Sequence, residues 1–332
     1  MNIDFHSHFI PDGAIHAAAS GQPWHDIRMS RTETGALIGL HAGEEFDLPE
    51  WTAGSGSLAT RLGWLDAQRL DAQVLSIAPR LQRYMAERSH AVAVARAMND
   101  DLAELVQSAP GRLYGLAHLP LQDPTAAVAE LHRIADAPGI IGAAVGTNVD
   151  GAPWSDPELF PVLAAVQDLG LVLFVHPANR PDDPRMKRHH LKNLVGNPLE
   201  TTLAVAEFVL GGVLDRLTTL RLCFAHGGGY AALGIGRFDA GHAARADVRA
   251  DSAHPPSSYM GRLYFDSLTF SDRALRHVVD VAGISQVVMG SDHPADMGAS
   301  DPVGFIEGCK SLSRSEKDAI LGANALRLIR RE

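Results

Sequence analysis

Short apolar runs recur along this chain, and stretches with helical spacing separate most of them. The runs are 3–5 (IDF), 72–77 (AQVLSI), 112–119 (RLYGLAHL), 139–146 (GIIGAAVG), 171–177 (LVLFVHP), 220–229 (LRLCFAHGGG), 262–267 (RLYFDS) and 286–294 (QVVMGSDHP). They are near-continuous rather than alternating, which is how strands buried on both faces read. Intervening stretches such as 91–109 (AVAVARAMNDDLAELVQSA) and 125–137 (TAAVAELHRIADA) place apolar residues at helical intervals. Strand–helix alternation predicts a parallel α/β fold. Eight such units favour a (β/α)8 barrel, a single domain over 1–332, above an open sheet.

Two stretches break the pattern. Residues 12–57 hold Gly, Trp, His and Pro with little helical period. They predict a small inserted subdomain or long loop after the first strand. Residues 178–198 (ANRPDDPRMKRHHLKNLVGNP) predict a Pro-rich, basic loop after the fifth strand. Loops that long in a compact domain are usually functional.

Composition narrows the function classes. The chain is 332 residues long, 46% hydrophobic and 20% charged, ample for a buried core and unlike a disordered chain. Its 29 basic and 39 acidic residues leave a net charge of −10, which disfavours nucleic acid and anionic membranes as partners. An anionic small substrate is compatible, because it responds to local charge. No apolar run approaches the roughly 20 residues of a membrane span. The opening MNIDFHSHFIPDG has neither the basic nor the apolar region of a signal peptide. Cys223 and Cys309 do not make a disulfide framework, so a cytoplasmic location is expected.

Four predicted strands end in groups able to bind a metal. The first ends in His6 and His8, two residues apart and therefore on one face of an extended chain. The fifth ends in His176, the sixth in His226 and the eighth in Asp292. A barrel gathers these ends at its C-terminal rim, where barrel active sites lie. Nitrogen and oxygen donors without cysteine suit zinc or another divalent first-row ion.

The motifs DFHSHFIP, GLAHLPLQDP, ELFPVLAAVQDLGLVLFVHP, LVGNPLETT, LCFAHGGG and GSDHP resemble, in order and spacing, the amidohydrolase superfamily. The likeness is to its metal-dependent decarboxylase branch, which includes aminocarboxymuconate-semialdehyde decarboxylase. The resemblance implies a distorted (β/α)8 TIM barrel holding one divalent metal, zinc first and manganese second. It implies His6, His8, His176 and Asp292 as ligands and His226 as the acid/base histidine. GAAVGTN (142–148) holds no lysine that could bridge a second metal, so one ion is expected. The resemblance also implies that Arg237, in GIGRF, enters the neighbouring subunit's site and pairs with a substrate carboxylate, making a homodimer with shared sites. A guanidinium suits that partner.

Decarboxylation without an organic cofactor requires the substrate to accept electrons as CO2 leaves. A phenol-like acid does so when its ipso carbon is protonated, and either His226 or Asp292 is placed to supply the proton. Asp292 as a ligand alone is the other reading. Gly227, Gly228 and Gly229 predict a tight turn into a helix. Two features depart from the semialdehyde decarboxylase pattern. Asn193 stands where that enzyme has a tryptophan, and GEEFDLPEW (43–51) holds no arginine where that enzyme's insert supplies one. Arg80, His189 or His190 are the candidate substitutes. The expected function is therefore CO2 release from a hydroxylated aromatic or heteroaromatic acid, with one reacting carboxylate. The competing expectations are the muconate semialdehyde itself, or hydrolysis or hydration of a ring-cleavage product.

Overall fold

The computed structural model describes residues 1–331 apart from 26, 34, 42–43, 49–56 and 179–182. The chain enters through β1 (Ile3–Phe9). An excursion follows, made of α1 (Asp12–Ser20), β2 (Pro23–Trp24), β3 (Ile27–Arg31), β4 (Leu37–His41) and β5 (Glu44–Leu48). The alternation then begins with α2 (Leu58–Ala67), β6 (Ala72–Ile77), α3 (Arg88–Gln107), β7 (Leu113–His118), α4 (Pro124–Ile134) and β8 (Ile140–Val145). It continues with α5 (Phe160–Asp168), β9 (Val172–Val175), α6 (Asn197–Leu210), α7 (Val213–Arg216) and β10 (Arg221–Phe224). Then come α8 (Ala231–Ala244), β11 (Leu263–Asp266), α9 (Asp272–Ala282) and β12 (Val287–Val288).

Eight strands pair in parallel in the order β1-β6-β7-β8-β9-β10-β11-β12. The segment after β12 returns to β1: Phe5 N donates to Met289 O at 2.8 Å, and His8 N to His293 O at 2.8 Å. The sheet is thus a (β/α)8 barrel. Its interior is filled, not hollow. Ile3, Phe5, Val74, Leu116, Ile141, Phe174 and Val288 form one fully buried cluster. Phe5 and Phe174 meet edge to face at 6.3 Å. A site can therefore form only above this plug. Outside it, apolar faces of the helices pack on the strands in the main core. Helix starts follow the sequence: Asp123 accepts from Ala126 N ahead of α4, and Ser271 from Ala274 N ahead of α9.

The eight runs locate the eight strands, with two differences. Residues 12–57 contain a helix, α1, and an antiparallel sheet of β2 to β5, more order than their weak periodicity suggested. The eighth run yields only a two-residue strand. Residues 289–294 extend the barrel edge by irregular bonds to β1, and they carry Asp292. Of the basic loop, 179–182 lies outside the described residues, as do 43 and 49–51 of the acidic stretch. The rest of the loop is a short turn at Pro184–Met186 and a π-helical turn, Lys192–Gly196, that runs into α6.

Candidate metal centre and active site

Parallel strands deliver their C-terminal ends to one rim, and the five predicted donors meet there. The His6 ring lies 5.1 Å from His8, 5.0 Å from His176 and 5.4 Å from His226, centroid to centroid. Asp292 Oδ1 stands 3.2 Å from His6 Nε2 and 2.9 Å from His8 Nε2. Its Oδ2 is 3.6 Å from His226 Nε2. One donor atom from each of His6, His176, His226 and Asp292 falls within 4.8 Å of the others. His226 and Asp292 hold φ values of 55° and 58°. This left-handed conformation costs about 1–2 kcal/mol for such residues and aims both side chains across the rim.

Supporting bonds orient each ring. His6 Nδ1 bonds Asp266 Oδ2 at 2.6 Å, His8 Nδ1 meets Ser76 Oγ at 2.9 Å, and His176 Nδ1 meets Pro177 O at 3.0 Å. Such partners fix ring orientation in metal-binding histidines. Asp266 also accepts from His226 N at 2.8 Å and Gly227 N at 2.7 Å, so one carboxylate ties β11 to β1 and β10. Gly227, Gly228 and Gly229 all have positive φ. A Cβ on Gly229 would stand 2.1 Å from Pro198 O, so only glycine lets this turn press on α6. Beneath the rings, Arg61 donates from Nη2 to His8 O at 2.8 Å and from Nη1 to Gln73 Oε1 at 2.7 Å. Gln73 reaches Asp4 Oδ2 at 2.8 Å, and Asp4 Oδ1 accepts from Ser291 N at 2.9 Å. This buried chain locks β1 to the segment bearing Asp292.

The electrostatics call for a cation. Burial disfavours the charged form of His6, yet Asp292 and Asp266 outweigh it and lift the ring to about 10. Burial likewise opposes charge on Asp292, but His6, His226 and His8 hold its carboxyl well below the usual range. Burial pushes His8 and His176 down, His176 strongly, so both favour the neutral form that can ligate a metal. Among the described residues, His6 Nε2 and His176 Nε2 are buried without a hydrogen-bond partner. Buried imidazole nitrogens left over beside a carboxylate fit a divalent ion.

A cavity of about 600 Å³ opens from His226 and Asp292, within the ~300–1,000 Å³ range of small-molecule sites. Leu194, Leu233, Leu268, Phe270 and Met297 supply apolar wall. Asn193 lines this cavity. Arg237, Arg80, His189 and His190 do not line it. Arg237 and both histidines are exposed, and Arg80 is half-buried. Asp266, Asn197 and Arg273 went unnoticed in the sequence. A carboxylate closing the apolar run RLYFDS was the available signal for Asp266. Asn197 and Arg273 lie in helix openings and gave none. Asn197 lines the cavity while its Oδ1 is buried and unpartnered.

The amidohydrolase family model matches residues 3–331, and the chain belongs to that family. It is 37% identical over 271 residues to the 2-amino-3-carboxymuconate-6-semialdehyde decarboxylase of Dictyostelium discoideum, covering 81% of this chain and 75% of that one. It is 33% identical over 182 residues to the gamma-resorcylate decarboxylase of Rhodococcus jostii, covering 51% of this chain and 55% of that one. The fold matches 5-carboxyvanillate decarboxylase from Novosphingobium aromaticivorans with a TM-score of 0.80 at 20% identity, over 99% and 96% of the two chains. That enzyme was crystallised with manganese and 4-hydroxy-3-methoxy-5-nitrobenzoic acid.

Proposed function

We propose that this protein is a metal-dependent, non-oxidative decarboxylase of a hydroxylated aromatic or heteroaromatic acid. The observation that carries the reading is the cluster of His6, His8, His176, His226 and Asp292 at the barrel rim, of which His226 and Asp292 line an apolar-walled cavity. His6, His8, His176 and Asp292 would hold one divalent ion. Their donor set suits zinc, and the manganese of the carboxyvanillate enzyme makes that metal the alternative. When bound, the ion supplies Lewis acidity and a fixed point for a carboxylate with its ortho hydroxyl. The apolar walls exclude water and hold the ring. A proton from the His226–Asp292 pair adds to the ipso carbon. The bond to the carboxyl carbon then breaks, CO2 leaves, and the bonding electrons restore the aromatic ring. Asp266 acts on this step indirectly, by holding the His6 ring and the His226 backbone. Two free, buried cysteines suit a reducing cytoplasm. No described helix is long and apolar enough to cross a membrane.

Trapped CO2 measured against ring opening or water addition tests the reaction class, over a panel of hydroxybenzoates and hydroxypicolinates. Ring opening or hydration without CO2 overturns the decarboxylase reading. A second substrate reading, the aminocarboxymuconate semialdehyde, draws on the Dictyostelium relative's 37% identity. A kcat/KM clearly higher for the semialdehyde than for the ring acids would select it.

The dimer belongs to the same proposal. Leu233 and Phe270, which line the cavity, are 78% and 57% exposed, apolar surface that a second copy would cover. Arg237 follows Leu233 by one turn on α8, where it can reach a second copy. Arg237→Ala and His226→Ala are each expected to be inactive, and their mixture to regain part of the activity through hybrid dimers. Absence of recovery, with hybrids shown to form, places Arg237 outside the partner's site.

A further inference from the structure

We infer that Arg273 is a specificity-determining residue that gives this site a preference for substrates with a second anionic group, remote from the carboxylate that is lost. The inference rests on the decarboxylase reading above and goes further, to the substrate's charge.

Arg273 lies in the first turn of α9 and lines the same cavity as His226 and Asp292. The side chains of His226 and Asp292 are 14% and 13% exposed, whereas Arg273 is exposed. The catalytic groups therefore form the cavity's base, and the guanidinium stands at its mouth. Leu268, Phe270 and Met297 line the same cavity, so an occupying ring meets apolar wall as well as the guanidinium.

Its neighbour on the helix shows what an ordinary arginine does here. Arg276 donates to Asp280 at 2.8 Å and to Glu316 at 2.7 Å. Arg273 has no ion-pair or hydrogen-bond partner among the described residues, in a chain with 39 acidic and 29 basic side chains. Arg273, Ala274 and His277 share one face of α9, and His277 lies 3.3 Å from Ala232 O on α8, which pins that face against the cavity. An uncommitted guanidinium held over an apolar cavity is built to take a carboxylate. It would stand in, from within the same subunit, for the arginine that the stretch 43–51 lacks. That lack alone predicts a substrate with one carboxylate, whereas Arg273 favours a second anionic group.

Two probes differing only in the outer group separate this from general attraction: salicylate and 5-carboxysalicylate, titrated calorimetrically into the metal-loaded protein. The wild type is expected to bind the dicarboxylate at least about tenfold tighter, the scale of one hydrogen bond to a charged group. Arg273→Gln should reduce that preference to within about twofold while leaving salicylate binding unchanged. Arg273→Lys should keep part of it. For any substrate of this type that is turned over, the loss should fall on KM and leave kcat nearly constant. Equal binding of both probes by the wild type, an unchanged preference in Arg273→Gln, or equal loss for both probes would overturn the inference. Absence of CO2 from every substrate would instead overturn the decarboxylase reading, since the binding preference is measured without turnover.

Discussion

His176→Ala and Asp292→Ala are each expected to strip most of the bound metal and nearly all activity from a protein that stays folded. Asp292 is the carboxylate on which His6, His8 and His226 converge, at 3.2, 2.9 and 3.6 Å. Without it, the imidazoles lose the one carboxylate that stands among their Nε2 atoms, and Asp266, bonded to His6 Nδ1, lies on the far side of that ring. His176 offers a buried nitrogen with no protein partner, so its loss removes a donor but leaves no internal bond broken at that atom. The barrel should survive both changes, because the cluster of Phe5, Phe174 and Val288 lies below the site. Metal analysis of the purified variants, beside about one divalent ion per wild-type chain, is the decisive measurement. Near-full occupancy in both would show that these residues are not ligands.

His226→Ala should behave differently, keeping its metal and losing at least about a hundredfold in turnover, the usual scale of general acid–base catalysis. The ring faces Asp292 Oδ2 at the cavity base, and Asp266 anchors its backbone NH at 2.8 Å. The substitution should leave His6, His8, His176 and Asp292 in place. Turnover within a few-fold of the wild type would make His226 structural. Loss of metal together with activity would move His226 into the ligand set, since its ring nitrogen already groups with donors of His6, His176 and Asp292 within 4.8 Å.

Most of the fold and the central donors were legible in the order of residues. Strands buried on both faces read as apolar runs because neither face meets water, and eight of them with intervening helices leave few topologies. His6, His8, His176, His226 and Asp292 were visible because each closes such a run, and parallel strands bring like ends together. The order inside 12–57 was harder to read, since strands of two to five residues carry too few positions to display a period. The last strand was overestimated because the apolar run 286–289 continues into a segment bonded irregularly to β1.

The amino-acid sequence by itself thus determined the barrel, the strand ends that bring His6, His8, His176, His226 and Asp292 to one rim, and the family. Only the tertiary structure decided which other side chains reach that rim. Asp266 shares one carboxylate between His6 and the His226 turn, residues 260 and 40 positions away. Arg61 reaches His8 O from a helix 53 residues on. Arg273 faces the cavity while Arg276, one turn later, is committed to acidic neighbours. Local pattern records how a residue meets its own strand or helix. Which partner stands across the rim depends on how elements far apart in the chain are packed, and no local period encodes that distance.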